Sequence, residues 1–406
     1  MASAQQPIQQ STAALLLDSS GLGGTFKERP SDFIVEELPL YYPKGEGEHL
    51  YLLIEKTNLG HEAMIKALMR QFNVSRHAIG AAGRKDKLAV TRQWVSVHLH
   101  KNPPELEAHH DCLKFLEVGR HANKLRIGHL KGNRFCLRIR HIGASVLPMV
   151  QQRLSTLIAQ GLPNYFDSQR FGVRGINHLL GRALIAKDSK QLVSLLAEAD
   201  GSSQWPSRSP ERLALDRVQQ GMSMGRMTSG LGRQTRQFWI SALQSAVFNC
   251  VLDQRIKDKN VTRLQVGDLA WKHDSGSVFA VDEEVVQDPQ TQQRLAHFEI
   301  SPSGPMWGSR MTRCGGQIDE MEQQALQAFS LVPQQLEKLG RSVSGARRPL
   351  RVCIGQATAN ASEDEHGVFI ELQFVLPPGS YATVALRKII GDPKRTGEED
   401  QRTDQP

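Results

Sequence analysis

A single carboxylate stands within a short basic stretch of this 406-residue chain. Asp86 has Arg84, Lys85, Lys87 and Arg92 as its near neighbours in sequence. Asp86 would weaken a cluster that only bound an anion, but it could act chemically on a polyanion that the cluster held in place. A nearby cation also favours the ionised form of a carboxylate, which suits a nucleophile or a base. Because structural charge clusters are common, these residues alone favour an ordinary charged turn.

A helix and two strands are predicted to position this stretch. The apolar run at 48–56 predicts a buried strand, and the spacing over 58–72 predicts a helix with Asn58 as its candidate N-cap. Residues 94–99 alternate in character, which predicts a second strand. We therefore expect Asp86 in a loop that leads into a strand. Catalytic residues favour such loops because a rigid element aims them.

Composition limits the class of protein. The chain has 39% hydrophobic and 23% charged residues, as ordinary soluble proteins do, and its length suggests two domains. A formal net charge of +8 makes nucleic acid the first expected partner and a membrane surface the second. Five dispersed cysteines without a CxxC pair argue against a disulfide framework or a zinc site. With no apolar run of membrane-spanning length, we expect a cytoplasmic protein without a metal.

Two further segments have the chemistry of RNA recognition. Residues 119–143 contain seven lysines or arginines and no acid, and Arg134, Arg138 and Arg140 alternate with apolar residues. This pattern predicts a strand whose basic face contacts RNA backbone phosphates. The segment 163–172 combines aromatic, amide and arginine side chains that could stack on a base and read its edge. A loop whose aromatics fill the core explains the same segment equally well.

Several separated motifs resemble, in their order along the chain, the TruD-type tRNA pseudouridine synthases. They span about residues 21–391 and are Phe26-Lys27, 32–36, 45–49, 83–94, 125–133, 164–166, 169–172, 238–249 and 378–383. The resemblance implies an α+β fold, with a catalytic domain on a mixed, mainly antiparallel sheet that an inserted, family-specific α/β domain interrupts. The expected organisation is a flexible N-terminus (1–20), the catalytic domain in two parts (21–189 and 346–392), the insert (190–345) and a disordered tail (393–406).

The resemblance also implies roles for individual residues. It assigns catalysis to Asp86 and substrate contacts to Phe33, Asn164 and Tyr381, with Phe166 as an aromatic of the site. Tyr381 stands where family members carry phenylalanine, so its hydroxyl is a departure from the family pattern. Asp167 likewise replaces a common glycine.

The implied reaction breaks the N1–C1′ bond of a uridine in tRNA, at position 13 in this family, and rejoins the uracil through C5. Asp86 would attack C1′ or act as a base at the sugar, and both routes stay open. Lys27 and Lys85 are candidates to hold Asp86 ionised and aimed. The chemistry requires no cofactor. We expect tRNA as the partner and a monomer, so that tRNA can enter a cleft.

Two other functions remain as alternatives. A non-catalytic RNA-binding or RNA-chaperone protein on the same fold would not depend on Asp86. Another RNA enzyme, such as a methyltransferase, would need a cofactor loop, and the glycines at 21–24 lack the spacing of one.

Overall fold

Two units of the chain are distinguished by their internal contacts. The structure, a computed structural model, describes residues 21–99, 112–201, 205, 209–220, 230–391 and 394–395. One unit, here called the sheet unit, contains the described residues up to Gln160 and those from Cys353 onward, and the middle unit runs from Gly161 to Val352. The predicted insert, 190–345, falls within the middle unit, and its boundaries stay a prediction. The predicted flexible N-terminus lies outside the described residues, as does the predicted tail apart from 394–395.

In the described residues the strands are, in chain order, β1 (Thr25–Phe26), β2 (Phe33–Pro39), β3 (His49–Thr57), β4 (Ile79–Ala81), β5 (Val90–His98), β6 (Leu113–His121), β7 (Leu130–Arg140), β8 (Leu162–Pro163), β9 (Leu269–Lys272), β10 (Val278–Ala280), β11 (Ile300–Met306), β12 (Ala346–Pro349), β13 (Arg351–Val352), β14 (Gly355–Asp364), β15 (Gly367–Leu376) and β16 (Lys394–Arg395). The α-helices are α1 (His61–Phe72), α2 (Leu147–Gln160), α3 (Asn177–Ala186), α4 (Ser189–Gly201), α5 (Pro210–Gln219), α6 (Arg233–Lys257), α7 (Glu283–Gln287), α8 (Pro289–Ala296), α9 (Gly316–Gln327), α10 (Pro333–Glu337) and α11 (Ala382–Ile390).

One large sheet organises the sheet unit. Its main path is β14-β15-β7-β2-β5-β3-β6, with β1, β4 and β16 paired at the side. The pairs β2–β5 and β1–β16 are parallel and the other pairs are antiparallel. The predicted mixed, mainly antiparallel sheet is therefore confirmed. The parallel pair matters for the site because it places the start of β2 beside the start of β5, which follows the Asp86 loop.

Helix α1 covers part of this sheet, with Leu68 and Phe72 in the same core cluster as Leu52 of β3. The prediction of a helix there is confirmed, but Asn58 is not its N-cap. Helix α1 begins at His61 after the N-cap Gly60. Asn58 instead adopts a left-handed conformation with φ of 50°, and its N–H donates to the Ala89 carbonyl at 3.2 Å. Asn58 thus fixes the connection between β3 and the residue before β5.

The long helix α6 lies at the centre of the middle unit. The spacing of Trp239, Leu243 and Val247 predicts a helix over 238–256. That helix is confirmed with an extra turn at its start, and these three residues on it are buried. Helix α3 crosses it closely at Gly181, where an added Cβ would lie 2.2 Å from the Trp239 carbonyl oxygen. No helix in the described part of the chain is both long and apolar enough to cross a membrane.

Helices α4 and α5 of the middle unit bury Leu192, Leu196 and Leu215 in one cluster. The sequence predicts a loop at 201–210, and 202–204 and 206–208 of it lie outside the described residues. The prolines and glycines of 302–308 also predict a loop, but that prediction is wrong, because most of these residues belong to the buried strand β11. This strand pairs with β9 over its first residues and with β12 over its last. Each ladder is short, which allows prolines within the strand.

Candidate active site

The loop between β4 and β5 presents the Asp86 carboxylate. The Asp86 side chain is 39% exposed, and its Oδ2 lies 2.7 Å from the Lys27 Nζ. The Lys27 side chain is only 2% exposed, so nearly all of this cation is enclosed by protein. A half-exposed acid on a buried cation can face a substrate while its orientation is held from behind.

Lys27 is itself held in an unusual way. Its backbone is left-handed, with φ of 60°, a conformation that is uncommon for non-glycine residues and often marks functional sites. Its Nζ lies 3.8 Å from the centroid of the Phe33 ring, within cation–π distance. Phe33 begins β2 and is 3% exposed. The ring predicted to stack on a substrate base is therefore buried, and one of its faces carries the Lys27 ammonium.

Two more lysines hold the Asp86 loop on the sheet. Lys85 extends from the loop, and its Nζ donates to Glu37 Oε2 at 2.7 Å and to Asn133 Oδ1 at 2.8 Å. Lys56 extends from β3 in the other direction, and its Nζ donates to the main-chain carbonyl of Asp86 at 2.7 Å. Lys85, predicted to support Asp86, thus pairs with Glu37, and the contact with the Asp86 carboxylate is made by Lys27.

Burial perturbs two groups beneath the loop. It raises the pKa of Glu37, and the charge and hydrogen bond of Lys85 oppose that shift. Burial lowers the pKa of Lys56 to about 8, a shift that the charge of Asp86 opposes and that of Lys85 reinforces. Lys56 is fully buried, and its bonds go to the carbonyls of Asp86 and Leu59. Neutral carbonyls compensate an ammonium less than a carboxylate would.

This placement of Lys56 predicts a pH-dependent stability. Between about pH 8 and the ordinary lysine pKa of 10.5, the unfolded chain holds a proton that the folded chain has released. The free energy of unfolding of the wild type should therefore rise relative to Lys56→Met by up to about 1.4 kcal/mol per pH unit in this window. Urea unfolding from pH 7 to 10 measures the difference. Lys66→Met, at an exposed lysine of α1, is the control. Parallel curves for the wild type and Lys56→Met would contradict the shifted pKa.

Two other cations of the loop region, Arg84 and Arg92, have carboxylate partners. Arg84 lies 3.3 Å from Glu62, and Arg92 lies 2.8 Å from Glu55. Tyr381 is half-buried in the same unit, at the N-cap of α11. Its carbonyl accepts the Val384 N–H at 3.1 Å, which fixes the start of that helix. A substrate contact by Tyr381 stays a prediction.

Asn164 and Phe166 lie in the middle unit. The Asn164 Nδ2 donates to the Pro349 carbonyl at 2.9 Å, and its Oδ1 accepts from the Arg348 guanidinium at 2.6 Å. The Arg348 guanidinium also lies 4.1 Å from the centroid of the Phe166 ring. Asn249 fixes the backbone of Phe166 through a pair of hydrogen bonds at 2.9 and 3.0 Å.

Comparison with known proteins places the chain in a family. Residues 10–208 and 198–389 match the family model of tRNA pseudouridine synthase D (TruD). A relative of that name from Geobacter metallireducens is 37% identical over 91% of this chain and 95% of its own length. Another, from Anaeromyxobacter dehalogenans, is 34% identical over 94% of this chain and 97% of its own. The chain belongs to the TruD family.

A solved structure agrees with this assignment. It comes from Methanosarcina mazei, and its name includes tRNA pseudouridine synthase D. It superposes with a TM-score of 0.76 at 26% identity, over 92% of this chain and 94% of the other. The predicted α+β fold of the TruD family is thereby confirmed. No group of three or more His, Cys, Asp or Glu side chains that could hold a metal ion occurs within the described ranges.

The basic strand β7 does not present a free cationic face in this TruD-family chain. Arg140 is buried, and its Nη2 lies 2.7 Å from Asp32 Oδ1 and 2.9 Å from Asp364 Oδ2. The hydrogen bond from Arg140 holds the pKa of the Asp364 carboxyl well below its usual range. The predicted phosphate contact of Arg140 is wrong, because carboxylates from outside the basic segment already surround the guanidinium.

The other two arginines of that prediction are partly exposed. Arg134 is 42% exposed and lies 3.4 Å from Glu36, directly across from it on β2. Arg138 is 29% exposed and lies 3.4 Å from Glu371, its cross-strand neighbour on β15. An RNA contact by either one stays a prediction, and each would have to share its charge with a carboxylate.

Arg140→Met is therefore expected to lower the free energy of unfolding by about 3–5 kcal/mol, because Asp32 would keep a buried charge without its partner. Arg134→Met, which removes an exposed ion pair, should change it by no more than about 1 kcal/mol. Denaturant unfolding of both variants tests the contrast. A loss of tRNA affinity by Arg140→Met at unchanged stability would restore the RNA-binding interpretation.

The sequence alone did not predict Lys56, Glu37 and Asn133, the three groups that bind the Asp86 loop to the sheet. A signal existed for Lys56, because it ends an otherwise apolar strand, and a buried lysine needs polar partners. Glu37 and Asn133 gave no such signal. They come together only because β2 and β7 pair with these two residues opposite each other.

Proposed function

We propose that this chain converts a uridine of tRNA, at position 13 as in its family, to pseudouridine, with Asp86 as the group that acts on the sugar. The observation that carries the proposal is the half-exposed Asp86 carboxylate, 2.7 Å from the buried Lys27 ammonium. Family membership makes the chain a tRNA pseudouridine synthase, an isomerase. The role of each side chain is the part that we propose.

The reaction requires one bond to break and another to form. The N1–C1′ bond of the uridine breaks, the uracil turns, and a C5–C1′ bond forms. The C5 proton leaves to solvent and N1 takes up a proton, so that the product is an isomer of the substrate. Asp86 either attacks C1′ and forms a transient ester, or removes a proton from the sugar. In both routes the carboxylate must be ionised at the start. The Lys27 ammonium fixes the direction of the carboxylate oxygen that acts.

We propose substrate contacts by Phe166, Tyr381 and Asn164. Phe166 and Tyr381 are partly exposed and offer ring faces or edges for the uracil, where a stack is worth on the order of 1–3 kcal/mol. We propose that Asn164 hydrogen-bonds the base edge or the ribose of the uridine. Phe33 is buried under Lys27, so its contribution is to carry the ammonium.

Release of tritium from tRNA labelled at C5 of uridine tests the proposal. The purified protein should release tritium, and the product should carry pseudouridine at position 13. Transfer RNA from cells that lack the protein should lack pseudouridine at that position. The alternative, a non-catalytic RNA-binding or RNA-chaperone protein on this fold, predicts tRNA binding without tritium release. We further propose that the protein acts in the cytoplasm and as a monomer.

A further inference from the structure

The basic segment 119–143 divides into two parts with different surroundings. The arginines on β7 are paired with carboxylates, as described above. Arg126 lies in the loop that connects β6 to β7, Lys131 is the second residue of β7, and both are exposed. Neither forms an ion pair with any carboxylate of the described residues. The uncompensated positive charge of the segment is therefore at this connection, here called the β6–β7 loop, and at the start of β7.

Exposed apolar and aromatic side chains lie beside these cations. Ile127 is 90% exposed, and Tyr42 and Leu40, which follow β2, are 62% and 50% exposed. The two segments are adjacent because Pro39 pairs with Leu130 at the ends of β2 and β7. Large exposed apolar side chains grouped with cations mark an interaction surface.

Internal contacts hold this surface in place. The Tyr41 hydroxyl and the His129 Nδ1 lie 2.7 Å apart, which ties one segment to the other. The Tyr42 ring packs edge-on against Trp94 of β5, with ring centroids 6.5 Å apart. One edge of the Tyr42 ring is thus supported by the fold while most of the side chain faces solvent.

The β6–β7 loop is also hydrogen-bonded to the start of the Asp86 loop. The Gly128 N–H donates to the Ala82 carbonyl at 2.9 Å. Two residues before Ala82, an added Cβ on Gly80 would lie 2.2 Å from the Leu125 carbonyl oxygen, so the two backbones are in close contact. Asp86 is four residues after Ala82, which places their Cα atoms no more than about 14 Å apart. A strand of RNA with one base at Asp86 can therefore reach the β6–β7 loop.

We infer that Leu40–Tyr42 and Arg126–Lys131, here called the β6–β7 surface, bind single-stranded RNA next to the target uridine. Arg126 and Lys131 contact backbone phosphates, and Tyr42 stacks on an unpaired base. Cations combined with an exposed aromatic ring suit single-stranded RNA, whose bases are free to stack. The inference rests on the proposed function, since it assumes that tRNA is the substrate held at Asp86.

The first test compares two double variants that remove the same charge from the sheet unit. Arg126→Ala/Lys131→Ala alters the β6–β7 surface, and Lys66→Ala/Arg70→Ala alters the exposed face of α1. Both are made in an Asp86→Asn chain, so that tRNA binding is measured without turnover. The Arg126→Ala/Lys131→Ala variant should raise the Kd for unmodified tRNA about 10-fold, and the slope of log Kd against log salt should fall by about 1–2. The α1 variant should change the Kd by no more than about twofold.

The second test addresses the stacked base. Tyr42→Ala should raise the Kd about 10-fold, and Tyr42→Phe, which keeps the ring, should leave it within about twofold of the parent. Equal effects of the β6–β7 and α1 double variants on the Kd, or a Tyr42→Ala chain that binds tRNA like its parent, would overturn the inference. These outcomes are separate from failure of the proposed function, which is an otherwise wild-type chain that binds tRNA but releases no tritium.

Discussion

Asp86→Asn is expected to reduce tritium release from C5-labelled tRNA by roughly 10⁴–10⁶-fold, the range seen when an enzyme loses the group that carries its chemistry. An amide can neither attack C1′ nor accept a proton from the sugar. The substitution keeps the size of the side chain and leaves an oxygen to accept the hydrogen bond from Lys27. Fold and tRNA affinity should therefore be retained, and the loss should lie in the rate of the chemical step.

Single-turnover assays with the protein in excess over tRNA, together with a separate Kd measurement, distinguish this loss from weaker binding. Glu363→Gln neutralises an exposed acid on β14 and serves as the matched control, with an expected rate close to that of the wild type. A rate for Asp86→Asn within about 10-fold of the wild type would remove Asp86 from the chemical step. That result would favour a non-catalytic role if the wild type were also inactive.

Lys27→Met is expected to lower kcat about 10²-fold with little change in KM. Lys27 fixes the Asp86 carboxylate at 2.7 Å and contributes a charge that is enclosed by protein. Without it the carboxylate can rotate and take up water, and a misplacement of about 1 Å is enough to lower a rate by that factor. The fold should survive, because methionine fills a similar volume over Phe33 and the half-exposed Asp86 remains solvated.

Lys27→Arg separates charge from geometry. The guanidinium keeps the positive charge but is planar and larger than an ammonium, so a partial recovery of kcat is expected. A lysine that only bound phosphate would behave differently, with a higher KM and a weaker salt dependence of tRNA binding. If Lys27→Met raises KM and leaves kcat unchanged, Lys27 belongs to RNA binding and not to the alignment of Asp86.

Local sequence was enough to predict the Asp86 loop but not its partners. Glycines before the loop and the alternating residues after it indicated a loop that leads into a strand. Lys27 is 59 residues from Asp86, and only the pairing of β2 with β5 brings it close. Lys85 is adjacent in sequence, yet its side chain turns to Glu37, because neighbouring side chains need not point the same way.

The basic strand shows a related limit. Alternation correctly predicted the strand, but the acids that neutralise it come from the turn before β2 and from β2, β14 and β15. Which carboxylate faces which arginine depends on register between strands, and that information is not contained in the segment. Helices α4 and α5 were missed for a different reason. Glycine, serine and proline between them suggested irregular structure, although Leu192 and Leu196 already have helical spacing.

The arrangement of the large sheet has a consequence for synthesis on the ribosome. Strand β7 is paired with β2 on one side, and its other neighbour, β15, is made more than 200 residues later. At usual translation rates, the edge of β7 waits roughly 10–50 s for that strand. During this interval Arg140 has Asp32 but not Asp364, and an unpaired strand edge is open to other chains. The β15 edge of β7 therefore stays open to other chains until the C-terminal hairpin of β14 and β15 arrives.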